Sequence, residues 1–225
     1  MRLTIFSIII LSGIFILSAC KKDDKTIVKE KLSGYVQKGP FINGTSIIIN
    51  ELEKDLSQTG KTFNSQITDN KGSFAVNNIE LASDYISLRA DGFYFNEILG
   101  QQSSSQITLY ALSNIADRNT INVNILSHLE KSRIEYLVSQ GIDFNEAKIQ
   151  AQEEVLSIFE IDYSAMEESE SLNIAQAGEH NAILLASSVI LQGYRSESEL
   201  TELLSDISSD IREDGILNNS ALGSK

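Results

Sequence analysis

The chain has one cysteine, one proline, two histidines and no tryptophan, and its 18 lysines and arginines are outnumbered by 31 aspartates and glutamates. A single cysteine forms no internal disulfide, so a disulfide scaffold is excluded. Two histidines leave a dedicated zinc site without its usual ligands. A formal charge of −13 argues against a basic nucleic-acid surface, and no nucleic-acid partner is expected. The glycine-rich loop that cradles phosphate is missing, as is the Gly-x-Ser-x-Gly elbow of many serine hydrolases. What is present is ample apolar material: 42% hydrophobic residues in a 225-residue chain fill one large or two small cores.

The amino-terminus opens with Met1-Arg2, then an apolar run over residues 3–17, then Ser18-Ala19-Cys20. One positive charge, an apolar segment too short for a comfortable span and a small residue before the cut make a secretory signal peptide over residues 1–19. Leu17-Ser18-Ala19-Cys20 resembles the lipobox of bacterial lipoproteins. That resemblance implies cleavage before Cys20 and lipidation of its thiol, which makes Cys20 an anchor and the membrane a partner. Two or three acyl chains on one residue give stable attachment where a single chain does not. Lys21-Lys22-Asp23-Asp24-Lys25 then reads as a solvated tether, with residues 20–30 linking anchor to fold. The charged stretch directly after the cysteine also resembles the export signal of Bacteroidetes-type surface lipoproteins. The implied location is the outer membrane, facing the cell surface.

Two periodicities divide the remainder. Strand-length runs fall at 32–36, 46–50, 62–68, 73–77, 85–90, 93–98 and 107–112. Turn formers separate them: Lys38-Gly39-Pro40, Asn43-Gly44, Asp69-Asn70-Lys71-Gly72 and Asp91-Gly92. In one such run Ile86, Leu88 and Ala90 share one face and Tyr85, Ser87 and Arg89 the other. After Asn124 the apolar period becomes helical. Asn124 caps a helix expected over 125–139 and stopped by Gly141, and Phe144, Ala147, Ala151 and Val155 mark a second behind Asp143 and Glu146. Residues 182–191 are apolar almost all round, which predicts a central buried helix, and Leu200, Leu203, Leu204, Ile207 and Ile211 mark a last one behind Ser196 and Glu199. Glu167-Glu168-Ser169-Glu170-Ser171 reads as a polar loop.

The expected fold class is therefore α+β in two domains: an antiparallel β-sandwich over 31–123 and an acidic α-helical bundle over 124–225. Charge divides at the same place. Residues 20–124 carry 11 basic and 12 acidic side chains, whereas residues 125–225 carry 6 and 19. The last residues, Ala221-Leu222-Gly223-Ser224-Lys225, follow what reads as the start of another apolar pattern, which raises truncation as one reading of the carboxy-terminus.

Several short stretches of the first half carry a pattern. They are Ser33-Gly34-Tyr35-Val36, Asn43-Gly44-Thr45-Ser46-Ile47, Thr68-Asp69-Asn70-Lys71-Gly72-Ser73-Phe74 and Tyr85-Ile86-Ser87-Leu88, followed by Asp91-Gly92-Phe93. Together they resemble the carboxypeptidase regulatory-like domain, a transthyretin-like β-sandwich that is generally non-catalytic. The resemblance implies a structural or binding role and transfers no catalytic residue. In the hairpin, Asp69 is expected to cap the turn, Gly72 to take a positive φ and Phe74 to return to the core. Residues 51–63 depart from the family as a longer insert.

No set of catalytic residues emerges. His128 reads as a helix residue beside Leu129, and His180 as a first-turn polar residue after Glu179 with no second histidine four residues on. Asp210-Ile211-Arg212-Glu213-Asp214-Gly215 opens like a calcium loop, but Arg212 stands at the third ligand position and Ala221 at the twelfth. Neither metal nor cofactor is expected. Phe93-Tyr94-Phe95 is the densest aromatic cluster, read as a core pair, Phe93 and Phe95, flanking one surface tyrosine. Glu199, Glu202, Asp206 and Glu213 read as solvated helix surface. The expectation is a non-enzymatic, lipid-anchored envelope protein with a structural or presenting role. The alternative is a glycan- or protein-binding module of an adhesion or export assembly.

Overall fold

The computed structural model describes residues 26–161 and 166–222. Residues 1–19, expected to form a signal peptide, and Cys20 with the charged run after it lie outside the described residues. Over the described residues the protein is mixed α and β, with antiparallel sheets and four α-helices.

Strand β1 (Ile27–Gln37) pairs antiparallel with β4 (Ser73–Leu81) and, at its far end, parallel with the short β9 (Val123–Asn124). A second, four-stranded sheet runs in the order β3 (Gln58–Gln66), β2 (Ser46–Leu52), β5 (Tyr85–Gly92), β8 (Ile107–Asn114). Residues 51–63, read as an insert, form the β2–β3 hairpin. Alternation sets which side chains go inward: Ile47 and Ile49 of β2, Ile86, Leu88 and Ala90 of β5, and Leu109 and Ala111 of β8 are all buried. A two-stranded ribbon, β6 (Phe95–Asn96) and β7 (Gln101–Gln102), completes the strands, so the run expected at 93–98 is extended over two residues only.

The hairpin between β3 and β4 follows its residue chemistry. Asp69 Oδ1 accepts from the Lys71 and Ser73 amides at 2.9 and 3.3 Å, and Gly72 takes φ +81°. A Cβ on Gly72 would meet the Val36 carbonyl oxygen at 2.5 Å, so the position excludes a side chain on two counts. Partial burial works to raise the Asp69 carboxyl, but hydrogen bonds from Ser73 and Lys71 prevail and hold it below its ordinary range.

Helix α1 (Ile125–Ser139) starts where β9 ends: Asn124 Oδ1 accepts from the Leu126 and Ser127 amides, and Ser127 Oγ accepts in return from the Asn124 amide. Helix α2 (Phe144–Ser157) is capped by Asp143, which accepts from the Asn145 amide alone. Helix α4 (Glu197–Asp210) carries a complete capping box between Ser196 and Glu199. Apolar residues of both sheets and of all four helices, among them Leu32, Ile49, Leu88, Leu129, Val155, Leu184 and Leu204, belong to one continuous buried cluster.

Helix α3 (Glu179–Gln192) corrects the expectation of an apolar helix buried all round. It buries Leu184, Ser187, Ser188, Leu191 and Gln192, while Leu185 and Ile190 are exposed. The cause is the polar surface beneath it. Ser188 Oγ donates to the Lys38 carbonyl and Gln192 Oε1 accepts from Tyr94 Oη at 2.7 Å, so small polar residues face inward. The same contact reverses the aromatic reading: Tyr94 is fully buried and Phe95 is the exposed ring. The inward alternation of β5 runs on unbroken, with Ile86, Leu88, Ala90, Gly92, Tyr94 and Asn96 all buried, which places Tyr94 inside and Phe95 outside.

Candidate functional site

Two clusters of buried polar groups flank α1 on opposite sides. The first is sealed. Lys148 Nζ of α2 lies 2.8 Å from Glu130 Oε2 of α1 and 2.5 Å from Glu170 Oε1, in a 3-10 turn over Ser169–Ser171, and all three side chains are almost fully buried. The expected polar loop at 167–171 therefore has an inward part. Ser169 Oγ donates to Glu130 Oε1, and Asn124 Nδ2 donates to the Ser169 carbonyl at 2.6 Å. Asn122 and Gln37 extend this network to Leu172, Asn173 and Ile174. Burial pushes the Glu130 carboxyl up, to about 7, with Lys148 opposing and Glu170 adding to the rise. For Lys148 burial acts downward, but the two carboxylates reverse it and hold the ammonium above its ordinary value.

The second is open. On the other side of α1 a cleft of about 340 Å³ has β8 as its floor, with Thr108 and Tyr110 on its outward face. Helix α1 supplies one wall through His128, Lys131 and Ser132. Helix α4 supplies the other through Thr201, Leu204, Ser205, Ser208 and Ser209. The spacings are those of one helix face: three and four residues from His128 in α1, and three, four, seven and eight from Thr201 in α4. A second cleft of about 430 Å³ continues over the outward face of β2 and β5, past Asn50, Ser87 and Arg89, and shares Tyr110 and Lys131 with the first. Each volume lies in the range of small-molecule sites.

Inside the first cleft, the Tyr110 and His128 rings stack at 5.7 Å and 23°, and Lys131 Nζ sits 5.3 Å from the centre of the Tyr110 ring. Lys131 is paired with Glu135 at 2.6 Å. Among the described residues no carboxylate lines this cleft. Three lining hydroxyls have committed their hydrogens: Thr108 to Asp91 Oδ1 at 2.6 Å, Thr201 to the Glu197 carbonyl at 2.8 Å and Ser209 to the Ser205 carbonyl at 2.8 Å. Two buried polar atoms have no partner, His128 Nδ1 and Ser208 Oγ, and the Ser208 residue is only 8% exposed. Burial, with the Lys131 charge adding, lowers the His128 imidazole to about 4, so it is neutral at pH 7.

The cleft gathers only one residue that the sequence singled out for chemistry, His128. His180 sits in the first turn of α3, where its Nδ1 accepts from the Glu167 amide at 3.5 Å. Asp210 Oδ2 accepts from the Asn218 and Asn219 amides and Asp214 Oδ1 from the Ile216 amide, so these carboxylates cap backbone turns. Among the described residues no group of three or more His, Cys, Asp or Glu could hold a metal ion, and no helix is long and apolar enough to cross a membrane. The Ser and Thr stripe of α4 was missed because it is neither apolar nor charged. Its signal was present as the third face of a helix whose other two faces were read. The chain matches no family model, no curated protein and no solved structure.

Proposed function

We propose that this is a non-enzymatic, lipid-anchored envelope protein, held through Cys20, whose rigid body presents the cleft between β8, α1 and α4 to a ligand. In this reading the strands form the transthyretin-like β-sandwich of a carboxypeptidase regulatory-like domain, and the helices brace it. One observation carries the presenting role: an open cleft two of whose lining residues hold buried polar atoms without partners, His128 Nδ1 and Ser208 Oγ. A buried polar atom without a hydrogen bond costs about 1–3 kcal/mol, a cost that a ligand's own polar groups offset. The cleft supports binding better than turnover. His128 has no carboxylate on Nδ1 to fix its tautomer, and a neutral imidazole held near 4 is a weak general base.

The single cysteine gives a clean test. Cys20→Ala is expected to abolish acyl labelling and release the protein from membranes, and retention would overturn the anchor. With Cys20 lipidated, Ser205→Cys provides the only free thiol. Its labelling in intact cells by a membrane-impermeant maleimide supports outward presentation. Labelling only after the outer membrane is permeabilised would overturn it.

A further inference from the structure

Resting on the reading of the cleft as a presented binding site, we infer that its ligand is a neutral saccharide, one or two sugar rings seated on Tyr110 between α1 and α4. Charge decides the first step. The cleft has no carboxylate to hold a cation, and its one cation, Lys131, is already paired with Glu135 at 2.6 Å, so neither an ammonium group nor an anion finds a free counter-charge. Hydrogen-bond capacity decides the second. Thr108, Thr201 and Ser209 have spent their hydrogens on Asp91 and on helix carbonyls, so toward the cleft they offer lone pairs only. Those lone pairs lie beside Ser132 and Ser205, whose hydroxyls are not committed in this way, so the lining calls for a ligand that both gives and takes hydrogen bonds. Ser208 Oγ, buried and unpartnered, can both give and take a hydrogen bond. A polyol meets both demands with each of its hydroxyls.

Shape decides the third step. A sugar ring has polar edges and an apolar C–H face, and the cleft matches this with Tyr110 and Leu204 beside the hydroxyl stripe of α4. Tyr110 also lines the second cleft, where Asn50, Ser87 and Arg89 add amide, hydroxyl and guanidinium groups, so a second ring has a place to go. An extended peptide is less well served. The Tyr110 carbonyl on β8, the last strand of its sheet, already accepts from Ser127 Oγ at 3.0 Å, and an added strand would compete with that bond.

The test uses the full chain, extracted in a detergent without a sugar head group, and isothermal titration with glucose, galactose, mannose, N-acetylglucosamine and their common disaccharides. At least one is expected to saturate at one site. Thr201→Val, at an exposed position that leaves folding intact, is expected to weaken it about fivefold, and Tyr110→Leu about tenfold or more. Ser208→Ala is expected to weaken it to a similar extent as Thr201→Val. Saturation by none of these sugars at millimolar concentration would overturn the inference. So would binding that all three variants leave unchanged, or competition by acetate, phosphate or a neutral serine-rich peptide for the same site. Thiol labelling of the Ser205→Cys variant in cells is independent of any sugar, so failure of the ligand class and failure of presentation are told apart.

Discussion

Glu130 and His128 stand two residues apart on α1, and the two sides of that helix treat buried polarity in opposite ways. Around Glu130 the protein supplies its own partners: Lys148 and Ser169 reach the carboxylate, and Asn124 ties Ser169 to the start of the helix. Around His128 it supplies stacking and a cleft but leaves Nδ1 and Ser208 Oγ unbonded. The same burial is thus met by protein partners on one side, Glu170 Oε2 excepted, and left largely unmet on the other. What separates them is whether neighbouring elements bring complementary groups within about 3 Å.

The largest expected effect breaks the sealed side. Lys148→Met leaves two carboxylates buried without their cation and is expected to cost about 3–5 kcal/mol in urea unfolding. Adding Glu130→Gln and Glu170→Gln to it is expected to recover much of that loss, because neutral amides remove the uncompensated charge.

Next come two pH slopes of opposite sign. The unfolded imidazole, near 6.5, takes up its proton before the folded one near 4, so His128 contributes stability that is full above 6.5 and lost as pH falls toward 4. Glu130 behaves inversely: its folded carboxyl lies above the ordinary 4.5, so its contribution is full below 4.5 and lost as pH rises to about 7. His128→Phe is expected to remove the acid-side loss, on the order of 1–3 kcal/mol, and Glu130→Gln the loss on the other side. Urea midpoints measured from pH 4 to 7.5 check both, and slopes of equal sign would contradict the contrast.

Smaller changes sharpen it further. Asn124→Ala removes a cap and the bond to Ser169, for an expected loss of about 1–2 kcal/mol in the same assay. Ser208→Ala is expected to be neutral or to stabilise by less than about 1 kcal/mol, because it removes an unpartnered hydroxyl and little volume. A marked loss of stability in Ser208→Ala would mean that the cleft is cohesive after all.

Much of the fold was legible because its signals are local. The caps Asn124 and Ser196, the turn at Asp69 and Gly72, and the alternation of Ile86, Leu88 and Ala90 depend on a few neighbouring residues. What was illegible depends on partners distant in sequence. Glu130 interrupts an apolar helix face, and only the fold shows that Lys148 and Glu170 meet it there. Likewise α3 looked fit for a core, because its sequence does not reveal that Lys38 and Tyr94 would present polar groups to it. The cleft escaped notice for a related reason. Serine and threonine carry no periodic signal on hydropathy, and His128 gains significance only when α4 is placed opposite.

Asn124 ends a strand and caps a helix, with no residue between β9 and α1 to act as a hinge. Mechanically, the junction is a rivet. Tension applied at the start of β1 passes to β9 through Val36 and Gln37 and arrives at α1 without slack. One wall of the cleft is thus fixed to the first strand of the fold, and a pull on α1 is shared between continuous backbone and strand pairing.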